Sequence, residues 1–359
     1  MQLTRRALAA SLCALSFSIP QLQAATSDKP VFDQTGTVQV PSFSLPPSDL
    51  QSEEATRMLQ MRSKMPHRDA VQEPDAIKAR QQLAAMLAPQ VEGMLKAYPV
   101  NVAEESIGGV PVRIVTPKGG KPDKDRVLIN LHGGAFNTCW ESCSLIESAP
   151  IAAEGNYKVV SVNYRMAPEA KHPAAVEDVT SVYRELLKNY KPEHIGIYGC
   201  SAGGFLTSQT AAWLPQQNLP QPAAIGIFGA GSVRFMTGDS AWIAASIDGS
   251  FPPPSTKEKP QMDLTRGYFD GADMEEPTVS PALHPETLKK FPPTMIITGT
   301  RAMDMSPAIY TNTELLKAGT DSTLVVGEGM GHCYIYQNYL PEARDTYGLI
   351  VNFFRKNLH

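Results

Sequence analysis

The stretch Ile195-Gly196-Ile197-Tyr198-Gly199-Cys200-Ser201-Ala202-Gly203-Gly204-Phe205-Leu206 decides the fold. Ile195–Tyr198 has the composition of a short buried strand, and Ala202–Trp213 that of a helix. Between them lies G-x-S-x-G. A serine on so sharp a strand-to-helix turn must adopt strained backbone angles, and only glycines fit beside it. The hydroxyl then stands exposed above the sheet, and the N–H of Ala202 points to where charge would develop on an attacked carbonyl oxygen. The strand–turn–helix frame, more than the string itself, gives the motif its content.

Outward from this turn the same rhythm repeats. Strands are expected at Val110–Val115, Val127–Leu131, Val159–Val162, Ala224–Phe228, Met295–Thr298 and Leu324–Val326. Helices are expected at Ala174–Lys188, Pro307–Lys317 and Pro341–Asn357. From Val127 onward the strands are nearly continuous apolar runs, as in strands covered on both faces. Alternation of this kind predicts an α/β fold, a mostly parallel central sheet with helices on both faces. Residues 234–276 break the rhythm and read as a cap insertion. Upstream, Asp49–Arg62 and Asp75–Tyr98 read as helices of an N-terminal cap (49–98). In the second, Ile77, Leu83, Met86, Leu87, Val91 and Leu95 share a face. The catalytic domain is then 99–359, preceded by an extended arm at 25–48.

Three further elements carry chemistry. His132-Gly133-Gly134-Ala135 follows the strand Val127–Leu131, where adjacent glycines let backbone N–H groups approach a substrate oxygen. The N–H groups of Gly133, Gly134 and Ala202 are the expected oxyanion donors, with His132 organising the loop. His332, in Glu328-Gly329-Met330-Gly331-His332-Cys333 after the last strand, is the expected base, since an imidazole of ordinary pKa about 6.5 can take and return a proton at neutral pH. Asp304 is the carboxylate offered by the loop after Met295–Thr298; Asp321 and Glu328 compete with it. The order Ser201…Asp304…His332 is that of an α/β-hydrolase.

With these motifs, and with Asn163-Tyr164-Arg165-Met166-Ala167-Pro168-Glu169, Pro173-Ala174-Ala175 and Asp178, the chain from Val127 onward resembles the hormone-sensitive-lipase-like branch of the α/β-hydrolases. The resemblance implies a serine carboxylic-ester hydrolase favouring short acyl chains, with a helical cap and a small-molecule ester as partner. It departs in two places. Cys200 stands where an acidic residue commonly precedes the serine, and Asp304 lies two residues later than the commoner acid position. An amidase or lactonase would use the same residues, and a non-catalytic binding protein of this fold is the alternative from another class.

Composition narrows the rest. A net charge of −4, with 19% charged and 42% hydrophobic residues, suits a folded globular chain, and without a basic run it argues against nucleic acid. Met1–Arg6 carries two arginines, Ala7–Ile19 is apolar and Pro20–Ala25 ends in small residues. This is the pattern of a cleavable signal peptide (1–24), by the general or the twin-arginine route, and predicts an exported protein, periplasmic or secreted. The apolar run falls short of the about 20 residues that span a bilayer, so no stable membrane insertion is expected. Once Cys13 leaves with the signal, Cys139, Cys143, Cys200 and Cys333 remain. Cys139 and Cys143 read as packing thiols, with a local disulfide as the alternative. No second Cys or His pair makes a zinc site, so neither metal nor organic cofactor is expected. Oligomeric state is left open.

Overall fold

The computed structural model describes residues 29–62, 64, 73–248, 253–254 and 263–359. The expected signal peptide, the start of the arm, most of the link between the two N-terminal helices and the middle of the 234–276 insertion lie outside the described residues. The chain divides into two units, Met1–Pro46 and Pro47–His359. In the first, the expected extended arm contains a short antiparallel hairpin, β1 (Val31–Phe32) with β2 (Val38–Gln39). Its turn forms because Asp33 accepts from the N–H groups of Thr35 and Thr37, and Gly36 takes a positive φ.

The second unit opens with two helices, α1 (Glu53–Arg62) and α2 (Ala76–Ala97). Asp75 caps α2 by accepting from the N–H groups of Ile77 and Lys78. The strands that follow are β3 (Val100–Ile107), β4 (Val110–Pro117), β5 (Val127–Leu131), β6 (Lys158–Val162), β7 (Ile195–Cys200), β8 (Ala224–Phe228), β9 (Thr294–Gly299) and β10 (Ser322–Gly327). Among the described residues they form one sheet in the order β10-β9-β8-β7-β5-β6-β4-β3. The strands from β10 to β6 run parallel, and β4 and β3 add an antiparallel edge.

Connections are α3 (Trp140–Gly155), α4 (Ala174–Leu186), α5 (Ala202–Trp213), α6 (Asp239–Ile247), α7 (Pro285–Leu288), α8 (Met305–Ala318) and, after the last strand, α9 (Pro341–Asn357). Successive strand residues point to opposite faces, so each central strand feeds two cores. Ile129, Ile197 and Ile227 pack with Val179 of α4, Phe205 of α5 and Leu315 of α8. Leu128, Tyr198 and Phe228 pack with Ile146 of α3 and Phe354 of α9. This double coverage is why the strands read as continuous apolar runs.

Two elements carried no usable sequence signal. The edge strand β3 (VNVAEESI) is exposed and polar, held by pairing along β4 rather than by burial. The helix α3 is buried nearly all round, contains Pro150 and takes serines and Glu147 into the interior, so it has no apolar stripe. Within 234–276, α6 is an unanticipated helix. On α2 most of the expected apolar face is kept: Leu83, Leu87, Val91 and Leu95 are half-buried and Met94 is buried, while Ile77 and Met86 are exposed.

Candidate active site

The elbow puts Ser201 at the carboxyl end of β7 with φ +59° and ψ −122°, a region costly for a side-chain-bearing residue. Its N–H is held by Phe228 O at 2.8 Å. The motif glycines are dictated by the neighbouring strand. A Cβ at Gly199 would sit 2.1 Å from Leu131 O, and one at Gly203 only 1.7 Å from the same atom. The serine is therefore carried on a turn that no larger residues could make.

Ser201 Oγ lies 2.9 Å from His332 Nε2, and His332 Nδ1 lies 2.6 Å from Asp304 Oδ1. Asp304 is fully buried and occupies the N-cap position of α8, yet its side chain makes no cap bond. It faces His332 instead, and its second oxygen accepts from Thr298 Oγ1 at 2.6 Å. The competing carboxylates lie elsewhere. Glu328 is exposed and accepts from Ser48 Oγ, and Asp321 is exposed where the chain enters β10, its carbonyl accepting from Thr294 N.

The loop 132–137 is braced from several sides. His132 donates from Nδ1 to Gly133 O at 2.7 Å, its ring stacks on Tyr164 at 4.3 Å, and its carbonyl accepts from Tyr164 Oη. Burial holds its pKa down to about 4, so it is a neutral organiser and no base. The Asn163–Glu169 motif is the other brace. Ala167 N–H donates to Phe136 O, and Asp178 accepts from both the backbone and the guanidinium of Arg165. Arg80 of α2 reaches across to Asn137 O, Ala167 O and Glu169.

Two expectations are corrected here. Gly133 N–H is not free for a substrate oxygen: it donates at 2.8 Å to the buried carboxylate of Glu147. The N–H groups of Gly134, Ala135 and Ala202 donate to nothing else among the described residues, and Ala135 stands at φ +51°. Nor are Cys139 and Cys143 packing thiols; the local disulfide given as the alternative is the one formed. Cys139 bonds to Cys143 and Cys200 to Cys333. A positive φ at Cys139 starts α3 so that its Cα lies 5.3 Å from that of Cys143, within bonding range. The second bridge, between residues 133 apart, had no signal in spacing. Nor had Glu147, an acid in a serine-rich helix.

A model of the α/β-hydrolase fold family matches residues 128–336. An acetyl-hydrolase of Streptomyces hygroscopicus is 28% identical over 238 residues, covering 64% of this chain and 75% of that protein. A crystallised esterase superposes with TM-score 0.76 at 29% identity, over 89% of this chain and 99% of its own. An esterase from the bacterial hormone-sensitive lipase family does so with TM-score 0.72 at 27% identity, over 86% and 99%. The chain belongs to the α/β-hydrolase family. Within that family it is a serine carboxylic-ester hydrolase of the hormone-sensitive-lipase-like branch.

Proposed function

We propose that this chain is an exported esterase of short-chain acyl esters in which Ser201 is the nucleophile, His332 the base and then the acid, and Asp304 the residue that orients it. The observation that carries this reading is the unbroken chain of contacts Ser201 Oγ–His332 Nε2–His332 Nδ1–Asp304 Oδ1, 2.9 and 2.6 Å long. Ser201 Oγ attacks the ester carbonyl as its proton passes to Nε2. Asp304, buried and unable to turn elsewhere, stabilises the imidazolium. The N–H groups of Gly134, Ala135 and Ala202 receive the developing oxyanion. His332 returns the proton to the departing alcohol, leaving an acyl group on Ser201. Water, deprotonated by His332, then attacks that acyl group and regenerates the serine.

The acetyl-hydrolase relative supports the short-chain part of the reading. Export rests on the charged, apolar and small-residue order of 1–24, and two disulfides suit an oxidising compartment. No described helix is long and apolar enough to cross a membrane. The test is hydrolysis of acetyl to dodecanoyl esters beside amides and lactones, with fluorophosphonate labelling of Ser201. Fastest turnover of the shortest esters is expected. Preference for amides or lactones replaces the ester reading, and absence of a covalent label on folded protein removes the nucleophile. For export, cell fractions of the full chain and of a chain lacking 1–24 are compared; equal retention in the cytoplasm overturns it.

A further inference from the structure

Glu147 is a buried carboxylate near the site that the mechanism above does not use. Both its oxygens are fully engaged. Oε1 accepts from Gly133 N–H at 2.8 Å and from Tyr336 Oη at 2.6 Å. Oε2 accepts from Asn130 Nδ2 at 2.8 Å and from Cys200 N–H at 3.2 Å. Gly133 opens the loop that offers the oxyanion donors, Cys200 precedes the nucleophile, and Tyr336 lies four residues beyond the base. One side chain thus touches three of the four segments from which the site is assembled, all but the one that carries Asp304.

We propose that Glu147 is a positioning residue for the reaction: its carboxylate locks the oxyanion loop to the nucleophile elbow, and the lock holds fully only while the carboxylate is ionised. The proposal rests on the esterase reading of Ser201. The argument for ionisation is one of counting. Gly133 and Cys200 each present a backbone N–H that cannot reverse, one to each oxygen. An ionised carboxylate satisfies both. A proton on either oxygen adds a donor to an atom that already receives two, so a partner must turn away or reverse.

The surroundings raise the cost of the charge. Tyr336, Tyr198 and Tyr164 face Glu147 from three segments, their own ionisation pushed up by burial and by its charge. His132, beside Gly133, is neutral. No cation pairs with Glu147 among the described residues. Burial accordingly pushes its carboxyl up to about 7, against the pull of its four donors. The lock therefore titrates within the range in which the enzyme would work.

Glu147→Gln is the direct test, because an amide has a single acceptor oxygen and must leave either Gly133 N–H or Cys200 N–H facing an NH2 group. Hydrolysis of p-nitrophenyl acetate is followed from pH 5 to 9. In the wild type, loss of the Glu147 proton adds to the deprotonation that the base itself requires, so log kcat/KM rises on the acid side with a slope above one. In Glu147→Gln the slope should drop to one, with kcat at least about tenfold lower and KM nearly unchanged. Wild-type kcat and slope in the variant overturn the proposal. So does a lower kcat with the wild-type slope, which marks a merely structural carboxylate. Should Glu147→Gln not fold, Tyr336→Phe removes one donor to the anion and should move the acid limb to higher pH; an unmoved limb overturns the proposal. Ser201→Ala separates the two layers. Activity surviving in that variant sinks the esterase reading itself, whereas loss there with no effect at Glu147 sinks only the lock.

Discussion

Cys200 and Cys333 are joined to each other across 133 residues of chain, so the residue before Ser201 is covalently tied to the residue after His332. In the proposed reaction, proton transfer between Ser201 and His332 depends on a 2.9 Å contact between a turn at the end of β7 and a loop after β10. The bridge limits how far those two segments can part. It is also closely packed, since a Cβ at Gly229 would lie 2.6 Å from Cys333 Sγ.

Removing this bridge should cost both stability and rate. For Cys200→Ala/Cys333→Ala we expect a loss of about 2–5 kcal/mol on unfolding and a lower kcat with little change in KM. The Cys139–Cys143 bridge closes a far shorter loop, so Cys139→Ala/Cys143→Ala should lose less stability, because closure entropy grows with loop length. Denaturant unfolding and steady-state kinetics on the two double variants check this. A larger loss from the Cys139–Cys143 pair contradicts it.

Ser201→Ala should abolish ester hydrolysis and leave the fold intact. The change removes only the hydroxyl, whereas the turn is held by Ser201 N–H to Phe228 O and by glycines packed on Leu131. Turnover should fall by orders of magnitude, with circular dichroism unchanged. A variant keeping more than about a tenth of wild-type kcat would refute the nucleophile.

Asp304→Asn should lower kcat by about four orders of magnitude, through the wrong imidazole tautomer. Asp321→Asn and Glu328→Gln should stay near wild type, since both carboxylates are exposed and turned to other partners. Thr298→Val, which removes the hydroxyl donating to Asp304 Oδ2, should cost far less than Asp304→Asn. A crippled Glu328→Gln beside a mild Asp304→Asn would move the acid to Glu328.

Two buried groups beside the oxyanion loop oppose each other in acid. The pKa of His132 falls from an ordinary 6.5 to about 4, so the stability that goes with its neutral form is full above 6.5 and is lost as pH falls through about 4. The pKa of Glu147 rises from 4.5 to about 7, so its contribution is full below 4.5 and is lost as pH rises through about 7. Between pH 4.5 and 6.5 the two slopes partly cancel. In Glu147→Gln only the His132 slope remains, and Tm should drop more steeply on acidification across that window than in wild type. Parallel Tm profiles from the two proteins count against these shifts.

The alternation of apolar runs and helix formers from Val127 onward, with G-x-S-x-G on a strand-to-helix turn, was enough to determine the parallel sheet and the elbow, because burial on both faces leaves that mark on composition. Ser201, His332 and Asp304 were legible for a related reason. Each follows a strand at the same edge of such a sheet, and chain order then brings the three together. Fine geometry was not legible. Whether Asp304 caps α8 or turns to His332 depends on a rotamer and on Thr298. Which N–H groups of the His132–Ala135 loop are free depends on Glu147, 14 residues away on a helix without an apolar stripe. The Cys200–Cys333 bridge depends on the end of β7 meeting the loop after β10 across a sequence separation of 133. Local sequence records what each segment buries. Only the tertiary structure decides which polar groups meet there, because a buried hydrogen bond is specified by the positions of both partners, and the second partner lies elsewhere in the chain.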